Sequence, residues 1–430
     1  MPDRTDVTYF GAGPALLPTD VLETASQALL NYQNTGLGIA EHSHRSQLAA
    51  DIINQAKADL ATYLDIPDDY EVLFMQGGGS GEFAATVYNL VGAWVTRKKS
   101  EILKQLGAAK EEEADPVKLV AALRKAVDRE LKLDYLVTGG WSLKAYQEAS
   151  RLIGPELVHL ATDSRTINDG KFGKIPEEST WKLSKDAAFV YYCDNETVDG
   201  VEFPKFPDIL APRADGTGPI VVADMSSNIL SRRFPVKNFS VAFFGAQKNL
   251  GSTGITVVII KKSLLSPSCP QPSSTLMRKL GLPVAPVILT YDTVAKNNSL
   301  YNTLSIFDVY IAGQVLKKLL KTFPNKAAGQ EALANKKATL IYDALEAYPD
   351  IYKIVPQKSV RSRMNICFRV TKNGETEKTE AVFLKESTAK GLTGLKGHRS
   401  VGGIRASNYN SIPLAGAEKL AGFLRDFAKA

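Results

Sequence analysis

Six short apolar runs constrain this chain more than any other feature. They are "YEVLFM" (70–75), "DYLVTG" (134–139), "AAFVYYC" (187–193), "PIVVAD" (219–224), "VAFFGA" (241–246) and "ITVVII" (255–260). All are rich in β-branched and aromatic residues. A strand covered on one face alternates apolar and polar residues, whereas one covered on both faces is apolar nearly throughout. Helical patterns lie between several of these runs, as in "SGEFAATVYNLVGAW" (80–94). Buried strands alternating with helices predict an α/β fold with a mostly parallel sheet covered on both faces. In such a sheet, ligand-binding groups gather at the carboxyl ends of the strands.

The chain has 430 residues, more than one ordinary core accommodates, so a second unit is expected. The texture changes after about residue 300. A long helix candidate, "FDVYIAGQVLKKLLKTF", precedes the strand-turn-helix pattern "RMNICFRVTKNGETEKTEAVF", which predicts a smaller C-terminal α+β domain. The charged stretch 96–131, broken at Gly107 and Pro116, reads as a surface helical pair inserted between sheet elements. An apolar fraction of 44%, a charged fraction of 23% and a net charge of +6 suit a globular protein with small anionic substrates. No basic stripe interleaved with aromatics points to nucleic acid. The apolar runs are too short to cross a membrane, and the N-terminus has no apolar signal core. Cys193, Cys269 and Cys367 are widely spaced. They read as reduced thiols of a cytoplasmic protein, and the four histidines form no zinc pattern.

Five strand ends carry polar chemistry. After "VLFM" comes Gly77-Gly78-Gly79-Ser80-Gly81 and then a helix, a place where free amides and the helix dipole favour phosphate. Trp141 follows "LVTGG" and can stack on a flat ring. Asn195, Glu196 and Thr197 follow "YYCD". Asp224 ends "PIVVAD", and Lys248 follows "VAFFGAQ" one strand-loop unit later. A lysine for a Schiff base, a carboxylate for a ring nitrogen, a phosphate cup and a stacking aromatic are what pyridoxal 5'-phosphate (PLP) needs.

In addition, "FGAGPALLP", "GLGIAEHSHRS", "GGGSGEF", "CDNETVDGVEF", "ADMSSNILSR", "GAQKNLGSTG", "SRMNICF" and "GLKGHRSVGGIRASNYNSIP" span nearly the whole chain. With these motifs it resembles the phosphoserine aminotransferases, a family of class V aminotransferases of PLP fold type I. The resemblance implies a large domain, residues 18–300, with a seven-stranded sheet, and a small α+β domain formed by 1–17 and 301–430. It implies a PLP-dependent homodimer that moves an amino group between L-glutamate and 3-phosphohydroxypyruvate. The products would be O-phospho-L-serine and 2-oxoglutarate.

Residue by residue, the resemblance makes Lys248 the Schiff-base lysine and Asp224 the partner of the pyridine nitrogen. Gly79, Ser80 and Gln247 would contact the phosphate, Trp141 would stack on the ring and Thr197 would reach its hydroxyl side. Asn302 and Thr303 would reach the phosphate of the neighbouring subunit's cofactor. Arg405 would hold the substrate α-carboxylate. His44 and Arg45 would hold the distal anion, helped by His398 and Arg399 of the partner subunit. His42 is given no role. Another class V enzyme, such as an alanine–glyoxylate aminotransferase or a cysteine desulfurase, is the nearest rival. A nucleotide-binding protein using "GGGSG" would leave Lys248 and Asp224 without purpose.

Overall fold

The computed structural model describes residues 3–213 and 217–430. Its centre is a seven-stranded sheet of β1 (Tyr70–Met75), β2 (Leu133–Val137), β3 (Val158–Asp163), β4 (Phe189–Cys193), β5 (Val221–Asp224), β6 (Val241–Gly245) and β7 (Thr256–Lys261). The spatial order is β1-β7-β6-β5-β4-β2-β3. Neighbours from β6 to β3 pair in parallel. Strand β7 alone runs antiparallel to both neighbours, so β1 still points the same way as the other five.

The near-continuous apolar runs have the two-sided burial that their composition requires. In β4, Val190 and Tyr192 join one hydrophobic cluster while Phe189 and Tyr191 join the other. In β6, Ala242 and Phe244 face one way, Val241 and Phe243 the other. This is the period of two imposed by the pleat, with apolar layers on both sides. Strand β3 was not evident from the sequence. "VHLATD" carries His159, Thr162 and Asp163, and among the described residues it lies at the sheet edge, paired with β2. An edge position asks for less apolar surface.

The 96–131 stretch forms the expected helical pair, broken at Gly107 and Pro116, but its first helix begins well before residue 96 and its second is not confined to the surface. A single 28-residue helix, Gly78–Gln105, runs through residue 96 without a break. The chain turns at Gly107, whose φ of +74° suits glycine. A second helix, Pro116–Glu130, then starts under the Asp115 cap, which accepts from the Val117 and Lys118 amides. Its Leu119, Leu123, Ala126 and Val127 join the core cluster on one face of the large sheet. The segment is therefore part of the helical layer; the exposed charges masked its buried stripe.

A second sheet of three antiparallel strands contains β8 (Tyr352–Ile354), β9 (Asn365–Val370) and β10 (Ile404–Ser407). It shares its own core with the helices Thr376–Ala389 and Leu414–Lys429. The short N-terminal strand Thr8–Tyr9 pairs in parallel with Leu392–Thr393 beside it.

Buried polar contacts tie the two sheets together. The Asn195 amide, just past β4, donates to the Asn365 Oδ1 of β9 at 2.8 Å. Arg363 pairs with Glu202 at 2.7 Å, and Arg232 pairs with Asp194. Burial alone would raise the Glu202 carboxyl, but Arg363 and Arg232 outweigh it and hold it at about 2. Breaking such a buried network would leave uncompensated charge, so it fixes the small sheet against the strand ends of the large one.

Candidate active site

Parallel register brings the carboxyl ends of the strands to one edge. Asp224 is opposite Cys193 of β4 on one side and Phe243 of β6 on the other. The turns leaving β1, β2, β4, β5 and β6 therefore open into one space, a cavity of about 370 Å³. It is lined by Gly79, Ser80, Trp141, Thr197, Asp224, Gln247, Lys248, His398 and Arg405 among the residues singled out from the sequence. His44, Arg45, Asn302, Thr303 and Arg399 do not line it.

Lys248 is 9% exposed, and its Nζ donates to Thr197 Oγ1 at 2.8 Å. This answers why a lysine follows "VAFFGAQ": the amine is withdrawn from bulk water and aimed by one hydroxyl into the cavity. Asp224 is 4% exposed. Burial pushes its carboxyl up, while the Ser226 contacts and the Lys248 charge pull it down, and the net effect is upward. Its Oδ1 accepts from the Ser226 amide at 2.8 Å. A positive group placed beside it would be strongly favoured to hold its proton.

The glycine run forms another part of the wall. Gly77 and Gly78 have φ of +118° and +64°, conformations that side chains disfavour. No side chain caps the helix that begins at Gly78, leaving its N-terminus to an anion. A Cβ on Gly79 would stand 3.7 Å from Asp224 Oδ2, so the amide ladder lies close to the carboxylate. Trp141 forms part of the wall, and its indole Nε1 is buried without a partner.

The Trp141 turn is held by carboxylates. Glu196 accepts from the Trp141 amide at 2.8 Å and the Ser142 amide at 2.9 Å, and Asp199 accepts from the Gly140 amide at 2.8 Å. Burial raises Glu196 to about 7 and Asp199 to about 6, the nearby Asp199 adding to the first and the Gly140 amide and Arg405 opposing the second. Sequence reading noted Glu196 beside Thr197, but its part as an N-terminal anchor for the Gly140–Ile153 helix needed the fold. It also missed Ala12 and Gly13, which line the cavity. Gly13 has φ of +128°, and a Cβ there would stand 3.4 Å from Lys248 Cγ. The only signal was the small-residue run "FGAGP".

Arg405 Nη1 donates to the Thr197 carbonyl at 3.3 Å. Among the described residues, no carboxylate forms an ion pair with Arg405, Arg399 or Arg45. The ordinary explanation for an arginine near a surface, a salt bridge, therefore does not apply to these three. His398 lines the cavity of its own chain. His44 keeps a buried Nε2 without a partner. Asn302 lies just outside the cavity, donating to Gln76 Oε1 at 2.5 Å beside the glycine turn.

The residues present fit PLP. A dry lysine amine, an isolated carboxylate, an uncapped glycine-rich helix start and an indole with a free N–H converge on one space. That set defines a PLP-dependent enzyme with a mostly parallel sheet. Comparison with known proteins narrows the class. The chain matches the family described as Aminotransferase class-V over residues 7–109 and 116–420. It is 41% identical to the phosphoserine aminotransferase of Saccharomyces cerevisiae, over 99% of this chain and 98% of that protein. Identity to the Drosophila melanogaster phosphoserine aminotransferase is 38%, over 98% of this chain and 99% of that one. The solved structure of PLP-bound phosphoserine aminotransferase from Trichomonas vaginalis superposes with a TM-score of 0.78 at 31% identity, covering 97% of this chain and 99% of that one. The chain belongs to the class V aminotransferases and, within them, to the phosphoserine aminotransferase family.

Proposed function

We propose that this chain transfers the amino group of L-glutamate to 3-phosphohydroxypyruvate, releasing 2-oxoglutarate and O-phospho-L-serine in serine biosynthesis. The observation that carries the reading is the convergence of Lys248, Asp224, the uncapped Gly78 helix start and the unpaired Arg405 on one cavity. The cofactor would be PLP, held by Lys248, the Gly79-Ser80 turn, Gln247, Trp141, Thr197 and Asp224. When bound, it supplies an electron sink for breaking the substrate Cα–H bond.

The chain's own residues do the rest. Asp224 holds a proton at the ring nitrogen. Arg405 fixes the α-carboxylate through its planar fork. The Lys248 amine, steered by Thr197 Oγ1, would take the α-proton at Nζ and carry it onward within the cavity. The small sheet, clamped to the strand ends, keeps Arg405 in place. A cysteine desulfurase needs a thiol on an accessible loop, and all three cysteines are buried. The test is amino transfer from glutamate, with 3-phosphohydroxypyruvate compared against pyruvate and glyoxylate. The phosphorylated acceptor should lead by at least about tenfold in kcat/KM, the worth of one charge-assisted contact. Equal use of glyoxylate would overturn the reading.

The working form in this reading is a cytoplasmic homodimer, with the large domain at 18–300 and the small domain formed by 1–17 and 301–430. No helix among the described residues is long and apolar enough to cross a membrane, and the thiols are free and buried. His44, Arg45, Asn302, Thr303 and Arg399 lie outside the cavity of their own chain; in this reading His44 and Arg45, with Asn302 and Thr303, serve a two-fold neighbour, in place of the own-chain role that the family resemblance implies for the His-Arg pair. Lys248→Ala and Arg45→Ala proteins, unfolded together and refolded, should then recover roughly a quarter of wild-type activity in random mixed pairs. Each mixed pair holds one intact site. No recovery, with mixed dimers confirmed by mass, would place Arg45 in its own chain's site.

A further inference from the structure

Lys144 lies one helical turn after Trp141 in the Gly140–Ile153 helix. Its Nζ stands 4.3 Å from the centroid of the Trp141 ring. A lysine in this position would normally pair with an acid four residues on. That acid, Glu148, is instead engaged by Arg151, which donates to both of its oxygens at 2.8 and 2.6 Å. Glu196 and Asp199, the nearest acids at the helix start, are spent on backbone amides. Lys144 has no carboxylate partner among the described residues, and it is exposed.

The cavity rim beside it holds His398. The Ser400 amide donates to His398 Nδ1 at 3.2 Å. A backbone N–H can only donate, so Nδ1 is unprotonated in this arrangement and the ring proton sits on Nε2. Burial, reinforced by the charges of Arg405, Lys144 and Arg399, lowers the imidazole's affinity for a second proton. Arg405, Arg399 and Lys144 lie close enough to His398 to act on it by charge, and the Lys248 amine lies inside the same cavity.

The substrates differ in what they need. Glutamate brings two carboxylates, which two arginines can match. A phosphorylated keto or amino acid brings about three negative charges near neutral pH. We propose that Lys144 binds the distal phosphate of the substrate, as a further cation beside Arg45 and Arg399 that favours phosphorylated substrates over dicarboxylates. This assignment rests on the proposed amino transfer to 3-phosphohydroxypyruvate. The compact ammonium on its flexible stem can leave the indole face and follow a phosphate, which it meets as a point charge without a fixed geometry.

The test uses the wild-type holoenzyme, Lys144→Gln and Lys144→Arg. Each half-reaction is followed by cofactor absorbance against rising O-phospho-L-serine or L-glutamate. In Lys144→Gln, the half-saturating O-phospho-L-serine concentration should rise about tenfold, the lower end for a charge-assisted contact at an exposed site. That for glutamate should change less than about threefold, with both maximal rates kept and Lys144→Arg restoring the affinity. Calorimetric titration with inorganic phosphate should show the same weakening without turnover. Unchanged phosphate affinity overturns the assignment. Equal losses for both substrates, or a lower maximal rate, show that Lys144 acts by positioning Trp141, which also overturns it. A wild-type enzyme that reacts with glutamate but not with O-phospho-L-serine overturns the substrate reading itself, and the role of Lys144 with it.

Discussion

Lys248→Ala should lose transamination by roughly 10⁴-fold or more, the upper end of what a positioned proton-transfer group supplies, because the same amine also forms the covalent link. The fold should survive. Lys248 makes one side-chain hydrogen bond, to Thr197, and its truncation removes a polar group from a buried place. The glycine turn, Trp141 and Asp224 remain, so the variant should still take up PLP without a covalent bond. Two measurements check this: steady-state turnover with glutamate and 3-phosphohydroxypyruvate, and cofactor retention after borohydride and denaturation. Wild type should keep its label through denaturation and the variant should lose it. Turnover within tenfold of wild type would remove Lys248 from the centre of the reaction.

Asp224→Ala should leave PLP bound, with the glutamate half-reaction slowed by about 10²- to 10³-fold, the usual cost of losing one preorganised contact to developing charge. The carboxylate is 4% exposed and faces the cavity, with Ser226 on one oxygen. Little solvent is available to replace it. Asp224→Asn should be nearly as slow, since the amide keeps the shape and loses the charge. Single-turnover absorbance under saturating glutamate reads the effect directly. Equal rates in wild type and both variants would make Asp224 a turn residue that caps Ser226 and nothing more.

The effects expected at these two positions are large because the strand-end arrangement leaves each without a substitute. That arrangement is also where sequence and tertiary structure divide the work. Runs such as "VAFFGA" and "PIVVAD" read as strands buried on both faces because they are short, nearly all apolar and rich in β-branched and aromatic residues. Once the strands alternate with helices, right-handed crossovers place their carboxyl ends on one edge. Asp224 and Lys248 were therefore legible as neighbours although 24 positions apart in sequence. The glycine turn and Trp141 followed by the same logic.

Other features depended on contacts between distant segments. Strand β3 escaped notice because an edge strand needs less apolar surface, and its His159 and Asp163 broke the pattern. The charged stretch at 96–131 hid Leu119, Leu123 and Val127, whose burial depends on which helix face meets the sheet. Gly13 meets Lys248 across 235 positions, and no local propensity encodes that approach. The contact of the Ser400 amide with His398 Nδ1 is likewise one that residue type alone does not announce. Period and composition determined the strands, the edge at which chemistry collects and the residues able to perform it. Which side chains share one cavity, and which charges remain unpaired there, was decided by packing, because burial and pairing are properties of neighbours that the linear order does not fix.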